Sequence, residues 1–466
     1  MAKIDKNIKA APILEIGLDN FAMGNMRTYG IEVLENRAVP DFRDGLKPVQ
    51  RKILWAMYES GAFSSGGTRK SAKFTGEVMG NYHPHGDSSI YTAMVKMANF
   101  TNPLVYGHGG FGFRNEPAAA MRYTEAKLSK FTETVLMNKS YMNVVDYMPN
   151  YDSTRKEPIY LPALLPHLLL NQSQGIALGL TAASCPFKMK GILKVLSLLF
   201  KGELKEKDLH KNLEVAYPYG GKVLNPEALS EFIKTGSASI KIGSNFEINN
   251  DTIFIKDSGP YFHAATVIEK IQNLPCVRSA DDYTANELDI RVKLKPAETD
   301  KQFDEGVKKV QSVLTDQINL RLNTIKRIDK DDVKFEMYNI LSYLQDWKEW
   351  RLELEVKHQQ YIIEKLEKEI NKFDLMLLAI ESLDLLFKLV KNSNNPQEEF
   401  SKAKKISLDD SKIIFQVPLI SLSKMSKSKL LDDKKKKVAS LKEAKDFKAN
   451  PVKVIFPQLE SFKEFI

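Results

Sequence analysis

The sequence predicts an α+β fold divided into several domains. The chain has 466 residues, which is more than one hydrophobic core usually organises and suits two to four domains. Short helical patterns joined by glycine-containing turns fill the first hundred residues, and strand-like and helical patterns mix between residues 188 and 334. A long stretch without proline or glycine follows Asp332, and such a stretch is typical of an extended helix.

These patterns divide the chain into four segments. Residues 12–36 carry apolar side chains at roughly helical spacing, so residues 1–36 are expected to form an N-terminal helical arm that ends before Pro40. The remaining segments are residues 37–187, 188–334 and 335–466.

Three short helices are predicted in the second segment. Pro48 suits the first turn of one helix, and the others are expected from Ser71 to Gly80 and from Asp87 to Phe100. Short helices joined by glycine-containing turns predict a helix-turn-helix of the winged type.

The start of the third helix is suited to binding a phosphate. Asp87 and Ser88 are good N-cap residues, and His83 and His85 lie just before the positive end of the helix dipole.

Two glycine-containing segments match nucleotide-binding loops only in part. Gly107–Gly112 fits Gly-x-Gly-x-x-Gly by letter, but residues 113–117 follow where a dinucleotide fold needs a helix, so we expect a turn. The Gly-Lys pair at residues 221–222 has Ala216 where a Walker loop needs glycine and Val223 where it needs Ser or Thr. We therefore expect no nucleotide-binding loop.

The middle of the chain is expected to combine a tight turn with a separate α+β domain. Glycines at positions 175 and 179 flank a short apolar segment, which suggests a turn near a ligand surface. The elements expected in residues 188–334 are strands at Ser239–Ile242, Thr252–Ile255 and Leu288–Lys293 and helices at Val267–Ile271 and Phe303–Leu314.

The last segment is predicted to be one long helix from residue 333 to Lys391 with an antiparallel partner. Its apolar residues recur at separations of three, four and seven, and such a stripe needs a second helix to cover it. Residues 426–446 are expected to return as that partner, with the lysine run at 434–437 as a solvated face. The apolar stretch from Leu375 to Val390 suits a dimer contact.

Composition narrows the class of protein. The 68 Lys and Arg against 59 Asp and Glu give a net charge of +9, a mild lean towards anionic partners that does not by itself identify nucleic acid. Cys185 and Cys276 are too few for a disulfide framework or a cysteine zinc site. The sequence has no signal-peptide core and no run of about 18 apolar residues, so we expect a soluble cytoplasmic protein without a membrane partner.

Three clusters between Arg37 and Glu125 carry the chemistry. They are Arg37 to Lys52, His83-Pro84-His85-Gly86-Asp87-Ser88, and Ala118-Ala119-Ala120-Met121-Arg122-Tyr123-Thr124-Glu125. Each mixes cations, imidazoles and small residues as a site for polyanionic phosphate would. The last places a tyrosine hydroxyl beside a guanidinium. Any single tyrosine among 17 is most simply a packing residue, and Tyr123 stands apart because of this context.

In their order and content these clusters resemble the DNA breakage-reunion subunit of type IIA topoisomerases, the A subunit of gyrase and its topoisomerase IV counterpart. The resemblance is close over residues 20–185 and weaker beyond. It implies a winged-helix DNA-cleavage domain at 37–187, a tower domain at 188–334, and at 335–466 a coiled-coil arm with a dimer contact called the C-gate. The short length and lysine-rich composition suit a phage with split subunits.

The resemblance implies that Tyr123 attacks a DNA phosphodiester and forms a 5′-phosphotyrosyl bond, while Arg122 stabilises the charge on the phosphorus. One phosphodiester is exchanged for another, so the break is resealed without outside energy. A tyrosine hydroxyl has an ordinary pKa of about 10, so a base or a metal-bound water must help to remove its proton.

Further residues match family positions at the DNA gate. Gln50 and Lys52 depart from the usual histidine and arginine, which leaves their roles open. Ile176 matches the wedge that the family inserts between base pairs. A capped, satisfied imidazole for His83 and a core position for Ile176 are the simpler alternatives. The residues expected to contact DNA are Arg37, Lys47, Arg51, Lys52, His83, His85, Ser88 and Ile176.

The resemblance also implies partners. The sequence shows no acidic Toprim-like cluster and no ATP-binding motif, so Mg²⁺ and ATP are expected on a Toprim and ATPase subunit, with no metal site in this chain. Two tyrosines are needed to cut two strands of duplex DNA. A homodimer through the DNA gate and the C-gate is therefore expected, joined by the partner into a heterotetramer or larger assembly.

Three functions remain open at this point. The first is the cleaving and religating subunit of an ATP-dependent type IIA topoisomerase in a bacterial or phage-infected cell. The second is a dimeric architectural DNA-binding protein that does not cleave. The third is an inactive family member, against which the intact Arg122-Tyr123 pair argues.

Two finer expectations follow from the family pattern. A DNA-wrapping β-pinwheel needs many strand signals, whereas residues 451–466 hold at most one short strand, so relaxation and decatenation without negative supercoiling are expected. Quinolone drugs in the family bind through a metal ion whose waters contact a serine and an acidic residue one turn later. Here these positions hold Ser88 and Thr92, so poor quinolone sensitivity is expected.

Overall fold

The computed structural model describes residues 18–112, 116–177, 179–260, 262–285, 287–328, 332–418 and 427–466. The chain forms two compact units. The first comprises Met1–Leu136, Asp146–Ile192 and Lys205–Leu344, and the second comprises Met137–Val145, Leu193–Leu204 and Gln345–Ile466. The division into four domains remains a prediction. The predicted helical residues 12–17, the residues 113–115 of the glycine-rich segment, and residue 426 lie outside the described residues.

The helices in the described residues are α1 Leu18–Val33, α2 Pro48–Glu59, α3 Ser71–Asn81, α4 Asp87–Ala98, α5 Met189–Lys201, α6 Glu206–Asn212, α7 Pro226–Thr235, α8 Ala264–Gln272, α9 Asp300–Val313, α10 Ile340–Glu381, α11 Leu383–Asn392, α12 Pro396–Lys404, α13 Leu408–Phe415, α14 Lys427–Ala449 and α15 Val452–Ser461. Short π-helical turns occur at Leu34–Ala38 and Thr132–Leu136, and 3-10 turns at Tyr141–Asn143, His167–Leu169 and Phe462–Phe465.

The strands are β1 Arg69–Lys70, β2 Val105–His108, β3 Glu125–Leu128, β4 Tyr147–Pro149, β5 Lys156–Pro158, β6 Ser173–Ala177, β7 Leu180–Ser184, β8 Lys222–Val223, β9 Ser237–Gly243, β10 Phe246–Asn249, β11 Thr252–Ile255, β12 Val277–Asp282, β13 Ile290–Leu294, β14 Thr315–Arg321, β15 Asn323–Arg327 and β16 Val333–Met337. This mixture of helices and strands with long C-terminal helices confirms the predicted α+β class.

Helices α2, α3 and α4 pack together beside a three-stranded antiparallel sheet with the order β1-β3-β2. Their apolar faces supply fully buried side chains such as Leu54, Phe74 and Met94. The three predicted helices are confirmed, but the N-cap of α4 is Gly86, so the expectation of Asp87 or Ser88 was wrong. Asp87 is already inside the helix, where its carboxylate accepts a hydrogen bond from the Ser88 N–H at 2.8 Å.

The glycine-rich segment is part strand and part turn. Gly107 and His108 pair with β3 as the end of β2, and the chain then turns at Gly109, whose φ of 91° favours glycine. No helix follows among residues 116–120.

A five-stranded sheet with the order β6-β7-β14-β9-β8 extends across the predicted boundary at residue 187. β7 joins it where Ala183 lies opposite Arg321 of β14. The predicted turn is the hairpin between β6 and β7. Gly175 is required in β6 because a Cβ there would collide with the backbone of Ala38. The hairpin therefore lies directly against the π-helical turn before Val39.

A four-stranded sheet with the order β10-β11-β13-β12 forms a second core with helices α8 and α9. Alternate strand residues such as Ile253, Ile255 and Val292 are fully buried, as the period-two pattern requires. The strand prediction at 252–255 is confirmed residue for residue, and the strand expected at 288–293 lies at Ile290–Leu294.

The second unit is organised by α10, a helix of 42 residues and about 60 Å in length. It begins at Ile340, seven residues after the predicted start, because residues 333–337 pair with β15 as a strand, and it ends before Ser382. Helix α14 runs antiparallel to it, as predicted, with apolar contacts among Ile363, Leu366 and Ala444.

Cross-helix ion pairs line the seam between α10 and α14. The pairs are Lys427–Glu381, Lys434–Asp374, Lys437–Glu369 and Lys445–Glu367. Two members of the lysine run thus bind carboxylates of the opposite helix, so the expectation of a wholly solvated face was wrong. The acidic partners of Lys434 and Lys437 lie 60 and 68 positions away in the sequence.

The C-terminal segment is helical, which corrects the expectation of a short strand. Val452, Ile455 and Leu459 recur at helical spacing in α15, and the last two are buried. Pro451 is the N-cap residue of this helix, a place at its start where proline is tolerated. In the part of the chain that the structure describes, no helix is both long and apolar enough to span a membrane.

Candidate functional site

Arg122 and Tyr123 lie together on an exposed turn immediately before β3. The Tyr123 N–H donates to the Ala120 carbonyl at 2.9 Å, and the Tyr123 side chain is 65% exposed. The guanidinium carbon of Arg122 lies 4.7 Å from the centre of the Tyr123 ring. A nucleophilic hydroxyl and a cation are therefore presented side by side at a surface that a large polyanion can reach.

The N-terminus of α3 holds this turn in place. The Ser71 N–H donates to the Thr124 carbonyl at 3.0 Å, and the Ala72 N–H donates to the Met121 carbonyl at 3.2 Å. The first N–H groups of a helix have no partners within the helix, so the turn satisfies them while it is itself fixed on both sides of Tyr123.

A second group of predicted residues surrounds His83. Burial lowers the pKa of the His83 imidazole to about 4, with further lowering by the neighbouring charges of Lys52, His85 and Arg37. The rings of His83 and His85 lie 4.4 Å apart. His83 is therefore neutral at pH 7 within a group of cations, which suits a site that hydrogen-bonds an anion.

Lys52 and the two histidines line a cavity of about 530 Å³. The Lys52 ammonium donates to the Tyr82 carbonyl at 2.6 Å and lies 3.4 Å from Glu157 Oε1. Burial lowers the pKa of Lys52. Arg327 from β15 also lines this cavity. Because Arg327 is more than 240 positions from His83, no local pattern in the sequence signals its presence.

Arg51 also lines this cavity, although its side chain is engaged mainly within the protein, and its DNA contact stays a prediction. Its side chain is buried, and it donates to Asp44 Oδ2 at 2.7 Å, to Asp44 Oδ1 at 3.0 Å and to the Leu46 carbonyl at 3.1 Å. Burial alone would lower the pKa of Arg51, but the Asp44 carboxylate raises it. The guanidinium stabilises the loop before α2 instead of facing solvent.

Lys47 lies at another cavity, of about 330 Å³, at the base of the β6-β7 hairpin. Its ammonium donates to the Gln174 carbonyl, and burial together with the nearby charge of Lys96 lowers its pKa to about 8. Lys96 was not predicted, although it shares one face of α4 with Ser88 at a separation of eight residues. This spacing places Lys96 on the same side of α4 as Ser88 and could have identified it from the sequence.

Ile176 projects from the end of the same hairpin and is 73% exposed, so the alternative of a core residue was wrong. An isolated branched apolar side chain at the end of a hairpin is suited to inserting into a partner. Arg37, His85 and Ser88 are also exposed. Among the described residues, no three His, Cys, Asp or Glu side chains come together as metal ligands.

Similar sequences occur among known proteins. The chain is 30% identical to the A subunit of DNA topoisomerase 4 from Haemophilus influenzae over 442 residues, covering 91% of this chain and 58% of that protein. It is 30% identical to the A subunit of DNA gyrase from Helicobacter pylori over 453 residues, covering 90% and 52%. The gyrase A protein of Streptococcus pneumoniae is 30% identical over 479 residues, covering 97% and 56%.

The chain thus spans little more than half the length of these relatives. The family model that describes the A subunit of DNA gyrase/topoisomerase IV matches residues 37–460, which include both Tyr123 and the helices α10 and α14. The chain belongs to the family of DNA gyrase/topoisomerase IV A subunits.

Proposed function

We propose that this chain is the DNA-cleaving and religating subunit of an ATP-dependent type IIA topoisomerase that acts in the cytoplasm. The observation that carries the proposal is the exposed Arg122–Tyr123 pair on a turn held by the N-terminus of α3. In this proposal residues 37–187 form the winged-helix DNA-cleavage domain, residues 188–334 the tower, and residues 335–466 the coiled-coil arm with the C-gate.

The reaction is a transesterification at a DNA phosphodiester. The Tyr123 oxygen forms a bond to phosphorus while the bond from phosphorus to the 3′ oxygen breaks, and the tyrosine proton is removed as the 3′ oxygen gains one. The product is a 5′-phosphotyrosyl bond and a free 3′ hydroxyl, and religation reverses each change. Arg122 stabilises the negative charge that develops on the phosphoryl oxygens.

The cations and the hairpin are proposed to hold and bend the DNA. Arg37, Lys52, His83 and His85 form one phosphate-binding group, which His83 joins as a neutral hydrogen-bonding partner. Lys47 and Ser88 are further phosphate contacts. The exposed Ile176 side chain is proposed to insert between base pairs, because unstacking a base step bends the duplex.

The partners follow from the two-strand reaction. Two copies of Tyr123 are needed to cut a duplex, so we propose a homodimer through the DNA gate and a C-gate at the far end of the arm. Mg²⁺ and ATP are proposed to bind a Toprim and ATPase subunit, where the metal supplies charge neutralisation at the phosphate. A heterotetramer or larger assembly results.

Trapping of a covalent adduct tests the proposal. The chain is reconstituted with a Toprim and ATPase subunit, Mg²⁺ and plasmid, and the reaction is stopped with denaturant. We expect protein linked to the 5′ ends of the DNA with wild type and none with Tyr123→Phe. Tight DNA binding without adduct from the wild-type complex would favour the architectural alternative.

The direction of strand passage is tested separately with the same complex. Relaxed plasmid and ATP are incubated with it, and topoisomers are resolved on a chloroquine gel. We expect relaxation and unlinking activity, and accumulation of negatively supercoiled product would contradict the expectation of passage without supercoiling.

A further inference from the structure

Tyr91, on the second turn of α4, contacts both sides of the turn that carries Tyr123. Its hydroxyl donates to the Ala119 carbonyl at 2.7 Å. The same oxygen lies 2.9 Å from Thr124 Oγ1. Because Thr124 donates its own proton to Ser71, the single Tyr91 proton is shared between Ala119 and Thr124. Ala119 precedes Tyr123 by four residues and Thr124 follows it directly, so one side chain bridges the two ends of the turn.

A third hydroxyl continues this contact to α3. Thr124 Oγ1 donates to Ser71 Oγ at 2.8 Å, and both side chains are fully buried. Tyr91 is itself partly buried, with its ring 6.4 Å from the ring of Phe111. The exposed Tyr123 is therefore attached to a buried, hydrogen-bonded base formed by α3 and α4, although its own side chain is largely free of the core.

We propose that Tyr91 is a positioning residue that aligns Tyr123 for attack on phosphorus by holding Ala119 and Thr124 together. This inference rests on the proposed nucleophilic role of Tyr123. An in-line displacement needs the attacking oxygen within a few tenths of an ångström of its productive place, and small misplacements are costly in rate. The backbone hydrogen bonds of the turn to a neighbouring helix come from α3, and Tyr91 adds a side-chain restraint from α4.

A positioning role has a kinetic signature that a purely structural role lacks. Cleavage and religation pass through the same transition state, and Tyr91 is tied to the turn rather than to the phosphate. Loosening the turn should therefore slow both directions by the same factor and leave the fraction of DNA cleaved at equilibrium unchanged. Partial unfolding would instead reduce the amount of active enzyme without changing its rate constants.

The test uses the reconstituted holoenzyme in two assays. Cleavage is measured in a single turnover, and religation is measured after Mg²⁺ is returned to a cleaved complex that was held without it. Tyr91→Phe keeps the ring and removes the hydroxyl, and Thr124→Val keeps the shape and removes Oγ1. We expect each to slow cleavage and religation about tenfold, which corresponds to one or two lost hydrogen bonds. Thr124→Ser restores the hydroxyl and should recover nearly the wild-type rates.

Tyr58→Phe is the matched control, because Tyr58 is a half-buried tyrosine of the neighbouring helix α2 with ring contacts to Trp55 and Phe63. It should leave both rates unchanged. DNA affinity should match wild type in all four variants, and every variant should be fully folded at the assay temperature, although losing a buried hydroxyl in Tyr91→Phe or Thr124→Val should lower the thermal transition.

Two results would overturn the inference. One is wild-type rate constants in both Tyr91→Phe and Thr124→Val, and the other is an equal loss in Thr124→Ser and Thr124→Val. Tyr123→Phe distinguishes failure of the proposed function from failure of this inference. If Tyr123→Phe still forms adduct, the assignment of the nucleophile is wrong. If Tyr123→Phe is inactive and Tyr91→Phe has normal rates, only the positioning role of Tyr91 is wrong.

Discussion

Among the arginine–tyrosine pairs of the described residues, one pair in each unit has similar geometry but very different surroundings. The Arg122 guanidinium lies 4.7 Å from the Tyr123 ring, and that of Arg351 lies 5.4 Å from the ring of Tyr141. Tyr123 is 65% exposed, whereas Tyr141 is 2% exposed. The same two residue types therefore meet solvent in one unit and are enclosed in the other.

Several hydrogen bonds hold the buried pair in place. Tyr141 donates to Glu355 Oε2 and accepts from Gln458 Nε2, both at 2.6 Å, while Arg351 donates to Glu355 at 3.0 Å and to Gln458 at 2.6 Å. Burial raises the pKa of the Tyr141 hydroxyl well above its ordinary value. This tyrosine joins α10, α15 and the 3-10 turn at Tyr141–Asn143, and its oxygen is not available as a nucleophile. The two pairs share residue types and differ in exposure and hydrogen bonding, and under the proposed function this difference separates a reactive Tyr123 from a structural Tyr141.

The largest expected effect comes from removing each tyrosine oxygen in turn. Tyr123→Phe should abolish covalent adduct while leaving DNA affinity nearly unchanged, because only the nucleophilic oxygen is lost. Tyr141→Phe should keep the cleavage rate but lower the free energy of unfolding by about 1–3 kcal/mol, because Glu355 and Gln458 lose a buried partner. Adduct trapping measures the first effect and urea unfolding the second. Loss of adduct in Tyr141→Phe, or normal adduct formation in Tyr123→Phe, would contradict the comparison.

Replacing each arginine with alanine should likewise affect the cleavage rate in one case and the stability of the protein in the other. Arg122→Ala should slow single-turnover cleavage by about 10²–10³-fold, as expected for one lost contact to the transition state. Arg351→Ala should instead destabilise the second unit by about 3–5 kcal/mol, because it leaves the Glu355 carboxylate buried without its cation. Normal cleavage by Arg122→Ala would remove its proposed role.

The buried cluster also predicts a pH dependence of stability. Although burial alone would raise it, hydrogen bonds from His358 and the charge of Arg351 lower the pKa of Glu355 to about 2. A depressed carboxyl pKa stabilises the fold above its unfolded value near 4.5, and this stability is lost as the pH falls from about 4.5 to 2. The contribution is roughly 3 kcal/mol at neutral pH. Urea titrations at pH 7 and pH 3 should therefore differ less for Glu355→Gln than for wild type.

The exposed cations should govern the salt dependence of DNA binding. Lys96→Gln removes one charge per protomer, so the slope of log Kd against log salt should fall by about 2 in a dimer. Lys436→Gln is the control, because its side chain is 78% exposed on α14 and it removes an equal charge from the arm. Equal slopes for Lys96→Gln and wild type would exclude Lys96 from the DNA surface.

The smallest expected effect concerns quinolones. Thr92 lies one turn after Ser88, and its hydroxyl donates to the Ser88 carbonyl at 2.7 Å. Because threonine has no carboxylate, this position offers no acidic group to a metal-bound drug. Thr92→Asp should increase drug-stabilised cleavage by the reconstituted enzyme, and Thr92→Ser serves as the control without a charge. An unchanged drug response in Thr92→Asp would show that this anchor does not explain sensitivity.

Local sequence determined the elements whose signals are short in range. The period-two strand at 252–255 and the helices α3, α4 and α10 follow from side-chain periodicity, which depends only on neighbours along the chain. The apolar stripe of α10 also showed that this helix needs a covering helix. The Arg122–Tyr123 turn was found for a similar reason, since its residues are consecutive. The helix α15 was missed although Ile455 and Leu459 show helical spacing, because Pro451 before it and Pro457 within it weakened the pattern.

Tertiary structure alone decided which of the predicted cations face solvent. Arg51 and Lys52 are adjacent in sequence and line the same cavity, yet the Arg51 guanidinium is buried against Asp44 whereas the Lys52 side chain is 19% exposed. Burial depends on which elements pack against a helix face, and those elements come from distant parts of the chain. The same reason explains why Arg327 and the ion pairs of the lysine run could not be foreseen, because charge pairing across 60 or more residues leaves no trace in local spacing.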